Sequence, residues 1–381
     1  MHTDFDVLIC GAGPSGLTAA LALGTSDLRV GLIEKESLPG LKVCGDALPP
    51  YVPKILNTIN QEYSKAFDKL PNVLRVDNCR IFGPKGTVLD LKFPEFGYTC
   101  KRIHFDALLY GLALRLSNIK IISGTTVKDI TIHAGHTEII TSRSQVLRSK
   151  LVIGCDGAHS NSRRKLAGVK HDLSHCSSAV RAYFNNVTGI IPGSFEMHFI
   201  NEYLPGYLWI IPLEGNQANV GLGIPSDIVI KKRINLKVEL LKIIRSTLIS
   251  KRFVDATISG ETKGYLLPLG SRRIRISGYR YMLCGDAASL INPATGGGIG
   301  QAMVSGRLAG WQAIKCFEAH DFSEEFMKSY TSDVYKKLWK ENRNSRLIKN
   351  LVASKPGILE GVIRLGAKNR FVKDSIIKIL S

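Results

Sequence analysis

The chain lacks any run of 18 or more apolar residues, so no segment of it reads as a membrane-spanning helix. It also lacks paired cysteines. The eight present form no CxxC and no regular spacing, which leaves no sequence signal for a zinc ribbon or a redox dithiol. His171 and His175 stand four apart with no third ligand nearby, so a metal site is not expected. No internal repeat or low-complexity tract is evident, and the first strand begins too close to Met1 to leave room for a signal peptide. The expectation is a cytosolic globular protein. Acidic residues are the minority, 32 against 51 Lys and Arg, for a formal net charge of +19. That balance attracts polyanions: anionic lipid, phosphorylated substrates or nucleic acid. Nucleic acid is the weaker reading, because the basic residues are spread along the chain and form no recognised module. What the chain has in ordinary amount, 44% apolar and 22% charged residues over 381 positions, suffices for two packed domains.

Three hydrophobic runs each end in a turn suited to one part of a large dinucleotide. They are Cys10-Gly11-Ala12-Gly13-Pro14-Ser15-Gly16, Cys155-Asp156-Gly157-Ala158-His159-Ser160 and Cys284-Gly285-Asp286-Ala287-Ala288. In the first, residues 6–10 read as a buried strand and 15–23 as a helix, with Gly11, Gly13 and Gly16 completing a GxGxxG between them. Such glycines allow a tight turn, close approach of backbone to a pyrophosphate and tight helix-on-strand packing; the helix start turns its amides toward the phosphates. A second strand, 29–33, ends at Glu34 and Lys35, where a carboxylate accepts from ribose hydroxyls. An acid there suits an adenosine without a 2′-phosphate. The three turns in this order point to FAD. Cys10, Cys155 and Cys284 read as small apolar side chains packed beneath the turns.

The opening 70 residues read as strand, helix, strand and a Gly- and Pro-rich loop, the start of a doubly wound sheet. Alternating runs across 78–98, and again at 179–185, 195–200, 207–211 and 218–224, suggest antiparallel strands. Residues 105–116 read as a helix, 228–248 as an amphipathic basic helix, and the chain finishes with helices from Ile299. The fold class expected is α/β: a Rossmann-like cofactor domain (1–75, 99–176 and 265–320), an inserted antiparallel substrate domain (76–98 and 177–264) and a C-terminal helical region (321–381).

These motifs resemble flavoproteins of the para-hydroxybenzoate hydroxylase fold and, within them, the geranylgeranyl reductase family, over about the first 320 residues. The class is marked by the GxGxxG, by Asp156-Gly157 with Arg163 after it, and by Gly285-Asp286 followed by Pro293. The resemblance implies that Arg102 lies against the flavin, Asp286 at a ribityl hydroxyl, Asp156 and Gly157 near the pyrophosphate, and Val127 where backbone meets adenine. Three segments carry the narrower assignment: Lys42-Val43-Cys44-Gly45-Asp46, then Gly206-Tyr207-Leu208-Trp209-Ile210-Ile211-Pro212 with Asn219-Val220-Gly221-Leu222-Gly223, and Asn292-Pro293-Ala294-Thr295-Gly296-Gly297-Gly298-Ile299. The family usually has an acid where Gly297 stands and a Phe where Ile211 stands. Physically, the Gly296–Ile299 segment opening a helix offers amides to an anionic ring edge, and Tyr207 and Trp209 share one strand face.

The implied activity is reduction of isoprenoid C=C bonds by hydride from reduced FAD, with NAD(P)H as electron donor. Cys44 is the candidate proton donor, with ordered water at the glycine loop as its competitor; Tyr207, Trp209 and Pro212 are the substrate wall. The basic, apolar mixture from Lys336 onward, with Trp339 and Phe371, suits an interfacial helix at an anionic membrane. Two other readings stay open on the same cofactor motifs: a flavin monooxygenase or halogenase, and a non-catalytic lipid-binding flavoprotein.

Overall fold

The computed structural model describes residues 3–40, 43–246 and 249–380. Lys42 and Leu248 therefore lie outside the described residues.

A six-stranded sheet runs in the order Ser277–Gly278, Tyr281–Leu283, Leu151–Gly154, Val7–Cys10, Val30–Ile33, Ile119–Ile122. All neighbours pair in parallel except the edge strand Ser277–Gly278. Val7–Cys10 and Leu151–Gly154 are buried at every position, as expected of parallel strands covered on both faces. Register decides where the turns go. Cys10 pairs with Gly154 and Ile33, and Gly154 with Leu283, so four strands end level and their following turns share one edge. Ligands of open parallel sheets bind beyond that carboxyl edge.

The second sheet has eight strands, in the order Thr257–Pro268, Cys176–Asn185, Gln217–Pro225, Tyr207–Leu213, Ser194–His198, Leu74–Phe82, Val88–Thr99, Ala47–Leu48. It is antiparallel apart from the parallel pair Leu74–Phe82 and Ser194–His198. Its faces differ. Val180, Ala182, Phe184, Leu208, Ile210, Val220 and Leu222 pack with Leu240, Ile243 and Ile244 into one apolar core. The alternate residues Tyr183, Arg181, Asn219, Tyr207 and Trp209 point the other way. A small third sheet holds Val127–Ile132, Thr137–Thr141 and Val146–Ser149. Among the described residues no helix is long and apolar enough to cross a membrane.

The structure corrects two expectations and adds one strand. Residues 228–248 do not form one helix: Ser226–Lys231 and Leu236–Ser246 are separated by a turn in which Arg233 has φ +52°. Asn235 starts the second helix, its side-chain oxygen accepting from the Val238 amide at 3.4 Å, so a short polar side chain ends one helical run and caps the next. The Gly- and Pro-rich stretch before residue 70 holds two helices, Val52–Ile59 and Gln61–Asp68, because Pro53 sits in the first turn, where its missing N–H costs nothing, and Asn60 caps the second. The strand Thr257–Pro268 was hidden by Gly260 at φ +81° and by charges at Glu261 and Lys263 that break its alternation.

Candidate active site

The first turn is built as its glycines require. Gly11 has φ +104°, and a Cβ on Gly16 would sit 1.8 Å from the Gly11 carbonyl oxygen, so helix Pro14–Leu23 starts hard against the turn. Gly13 occupies the position before the helix with no side chain capping the amides that follow. Glu34 is 3% exposed and accepts from the Ala12 amide at 2.7 Å, which fixes the strand-end acid to the glycine turn. Lys35 is exposed and lies 3.8 Å from Glu36. Val127 is placed nearby through Thr125, whose amide donates to the Glu34 carbonyl, and its own carbonyl accepts from Asn161 at 3.3 Å.

The second turn is self-contained. Asp156 spends its carboxylate on Ser160 Oγ (2.5 Å) and on Ser162 N and Oγ (2.8 and 3.0 Å); Gly157 follows at φ +77° and is half-buried. Arg163 is buried, donates to the Ala158 and Asp286 carbonyls and lies against His171, so His171 belongs to this turn. In the third turn Gly285 has φ +57° with Ser15 Oγ 3.2 Å from where its Cβ would be, and Asp286 accepts from Tyr265 Oη at 3.3 Å. The three turns thus touch one another. A fourth group joins them: Asn292 accepts from the amides of Ala294 and Thr295 and shapes the loop through buried Pro293 to Gly296 (φ +66°), Gly297 and Gly298. Gly298 precedes the twenty-residue helix Ile299–Glu318 and supplies no side-chain cap, so that helix also opens with free amides. Glycine cradles and two amide-rich helix starts on one sheet edge fit the phosphates and ring edge of a flavin dinucleotide.

Against this edge stands the polar face of the eight-stranded sheet. Tyr207 donates to the Thr295 carbonyl at 2.5 Å and packs edge-on to Trp209, ring centroids 6.2 Å apart. The indole lies across Gly221, where a Cβ would fall 2.1 Å from Trp209 Cζ2, so glycine is required for the indole to lie flat. Trp209 Nε1 donates to Asn219 Oδ1 (2.9 Å); Asn219 Nδ2 in turn donates to the Cys44 carbonyl (2.7 Å) and to Asp46 Oδ2 (2.8 Å). Asp46, fully buried at φ +64°, also accepts from the Arg102 amide at 3.0 Å and donates its own amide to Cys44 Sγ at 3.3 Å. Burial pushes the Asp46 carboxyl above its ordinary range, against the pull of Asn219 and Tyr183. Arg102 forms a two-pronged pair with Asp106 (3.0 and 2.8 Å). Burial opposes its charge, yet Asp106 and then Cys44 hold its pKa above that of an ordinary arginine. The Cys44 thiol, enclosed although the residue keeps some surface, is raised by desolvation more than Arg102 lowers it.

Most sequence-derived candidates therefore meet at two facing surfaces. Pro212 does not join Tyr207 and Trp209: strand alternation puts it in phase with Leu208 and Ile210, and Ile211 takes the site-facing position, 3.6 Å from where a Gly45 Cβ would be. Asp46 and Asn219 stood inside the motifs without an assigned role, and Asp106 lay one helical turn from Arg102; an acid four residues after an arginine was the available signal. Tyr183, Arg181 and Tyr265 carried no motif. Elsewhere His133, His136 and Glu138 bring ligand atoms within 4.8 Å of one another on a hairpin, with Glu138 held by Arg148.

Comparison with known proteins agrees with this geometry. Residues 93–344 match the FAD binding domain family model. The digeranylgeranylglycerophospholipid reductase of Thermoplasma volcanium is 31% identical over 92% of this chain and 86% of its own length; that of Methanosarcina acetivorans is 30% identical over 92% and 84%. The chain belongs to the geranylgeranyl reductase family of FAD-dependent oxidoreductases. A geranylgeranyl bacteriochlorophyll reductase-like structure from Thermoplasma acidophilum superposes with a TM-score of 0.80, 26% identity and coverage of 95% of this chain and 91% of that one. A flavin-dependent brominase matches equally in shape, TM-score 0.80 over 99% and 93% of the two chains, at 19% identity. That likeness is one of fold.

Proposed function

We propose that this family member reduces isoprenoid C=C bonds of a prenyl lipid. The observation that carries the reading is the wall in which Asn219 ties Trp209 to the Cys44–Asp46 loop, opposite the glycine-lined sheet edge. The names of the reductase relatives support the substrate class, and the brominase fold lends its rival no comparable residue evidence. Residues 1–75, 99–176 and 265–320 are assigned to cofactor binding, 76–98 and 177–264 to the substrate, and 321–381 to the C-terminal helices.

Bound at the strand ends, FAD supplies hydride chemistry, with NAD(P)H or another low-potential donor as the electron source. The chain's part is to hold and to protonate. Gly11, Gly13, Ser15 and Gly16 take the pyrophosphate end, Glu34 with Lys35 the adenosine ribose, Asp286 the ribityl chain, and the amides of Gly296 to Ile299 the ring edge. Tyr207 and Trp209 align the apolar chain and exclude water. An unactivated alkene accepts hydride only as a proton reaches its other carbon, so an acid must be at hand. Cys44 meets that need: its raised pKa keeps the thiol protonated at neutral pH. The S–H bond breaks as the C–H bond forms, and the thiolate left behind is stabilised by Arg102 until water returns the proton. Exposed Leu347, Leu351, Leu365 and Phe371 on the C-terminal helices, among lysines and arginines, support peripheral contact with an anionic membrane.

The test is anaerobic. Reduced holoprotein given a geranylgeranyl lipid should regain its oxidised-flavin absorbance without oxygen. Flavin that stays reduced with every prenyl lipid offered, yet reoxidises in air, would overturn the reading.

A further inference from the structure

Among the described residues, four arginines enclose a guanidinium Nε that has no hydrogen-bond partner: Arg163, Arg181, Arg280 and Arg307. Three of them use their terminal nitrogens elsewhere. Arg163 and Arg280 donate to backbone carbonyls, and Arg307 bonds Thr58. The Arg181 side chain forms no hydrogen bond or ion pair among the described residues, although the residue is only 3% exposed and its Nε is wholly enclosed. Its guanidinium lies 4.0 Å over the ring of Tyr183. A buried cation with five donors and no acceptor is costly unless something completes it.

The neighbours sharpen the point. Across the ladder, Arg181 pairs directly with Lys263 on one side and with Gly221, the floor beneath Trp209, on the other. Like charges directly opposite one another on a sheet face repel. A third cation, Lys101, stands 5.3 Å from the same Tyr183 ring. Neither nearby carboxylate hydrogen-bonds Arg181. Glu261 reaches Lys263 from the exposed rim at 3.8 Å, and Asp46, which feels the Arg181 charge, gives its hydrogen bonds to Asn219 and the Arg102 amide. Sequence pattern gave no sign of this convergence, since Lys101, Arg181 and Lys263 are each about 80 residues apart.

We propose that Arg181, flanked by Lys263 and Lys101, forms an oxyanion subsite in the substrate wall that binds the phosphate of a prenyl lipid's head group. The inference rests on the prenyl-lipid reading above and adds what holds the polar end. The Trp209 indole lies across Gly221, the direct cross-strand partner of Arg181, and neighbouring strands are about 4.8 Å apart, so the cation and the indole are adjacent on one face. A phosphate held at Arg181 would bring the head-proximal isoprene unit against the indole.

The experiment measures binding rather than turnover. Oxidised holoprotein is titrated with geranylgeranyl diphosphate, with geranylgeraniol and with inorganic diphosphate, following tryptophan fluorescence. The diphosphate lipid should bind at least tenfold tighter than the alcohol. Arg181→Gln should erase that difference while leaving the alcohol's affinity intact, and Arg181→Lys should restore part of it. Equal affinity for both lipids in the unaltered protein, or equal loss of both in Arg181→Gln, would overturn the subsite. Inorganic diphosphate binding as tightly as the lipid would mark a free-anion site and overturn the head-group assignment. Stability provides a second readout. Removing a buried charge that no hydrogen bond completes should raise the melting temperature of the lipid-free holoprotein; a fall would make Arg181 a structural counter-charge, to Asp46 where adding Asp46→Asn relieves it, and refute the proposal. Discrimination between the lipids with no anaerobic flavin reoxidation would instead sink the reductase reading and leave the subsite standing.

Discussion

Replacing Asn219 with Ala tests the wall at its joint. The side chain is fully buried and serves three partners at once: Trp209 Nε1 at 2.9 Å, the Cys44 carbonyl at 2.7 Å and Asp46 Oδ2 at 2.8 Å. Each buried group left without its partner costs about 1 kcal/mol or more, and an acceptor of raised charge density more again, so the variant should lose about 3–5 kcal/mol. That is a large share of the roughly 5–15 kcal/mol by which domains are stable. Urea unfolding of the holoprotein, followed by tryptophan fluorescence, measures it; anaerobic flavin reoxidation by a prenyl lipid should slow at least tenfold as the indole and the Cys44 loop lose their common tether. Asn219→Asp sharpens the test. It keeps an acceptor for Trp209 but sets a second carboxylate against Asp46, so one of the two must hold a proton with a raised pKa. Stability contributed by that protonated pair is present at low pH and is lost as pH rises through the raised value, so this variant should be weaker at pH 8 than at pH 5. A midpoint within about 0.5 kcal/mol of the parent for Asn219→Ala would refute the network.

Gly16→Ala should yield colourless protein, because its Cβ would fall 1.8 Å from the Gly11 oxygen and the helix must retreat from the turn; the flavin-to-protein absorbance ratio reads it. Cys44→Ala should keep FAD and lose at least 100-fold in alkene reduction. Full activity in that variant would transfer the proton to water at the glycine loop. Lys349, whose pKa burial lowers to about 8, holds its proton less tightly folded than unfolded. Stability therefore rises with pH between about 8 and the unfolded value near 10.4, and below that window the lysine costs on the order of 3 kcal/mol. Lys349→Met should stabilise the protein at pH 7 by up to that amount and give no gain by pH 10.5; an equal gain at both would show that charge is not the cause.

The cofactor side of this fold was legible because its constraints are local. A GxGxxG between strand and helix, and turns after Gly154 and Leu283, are short-range signals, and parallel register does the rest by ending the strands level. The facing sheet was legible only where a motif marked it. Tyr207 and Trp209 stood out, and alternation correctly put them on one face. The same alternation, applied one residue further, would have moved Pro212 off that face and put Ile211 on it. Asn219 reaches Cys44 and Asp46, 175 and 173 residues away, Arg181 faces Gly221 and Lys263, 40 and 82 residues away, and no periodicity reports such pairings. The helix expected over 228–248 failed for a local reason that was visible: Asn235 is a better cap than a helix interior residue.

The two faces of the site carry different kinds of information. The whole chain superposes on a brominase as closely as on a reductase-like protein, so shared shape does not choose between their chemistries. On the proposed reading that choice falls to the facing sheet, where side chains rather than backbone amides project. There the described contacts divide by chemistry. Toward the Cys44 loop the face is aromatic and tied by hydrogen bonds through Asn219, suited to an apolar chain. Toward Thr257–Pro268 it turns cationic, with Arg181 and Lys263 cross-strand partners. A molecule satisfying both halves has an unsaturated apolar body and an anionic head, and it can lie along the sheet in one direction only. On the proposal that Arg181 holds the head group and Cys44 gives the proton, the polarity of the wall sets which end of the chain meets the donor, and Arg181→Gln should blur that choice, giving a broader set of reduced positions in the product wherever any reduction persists.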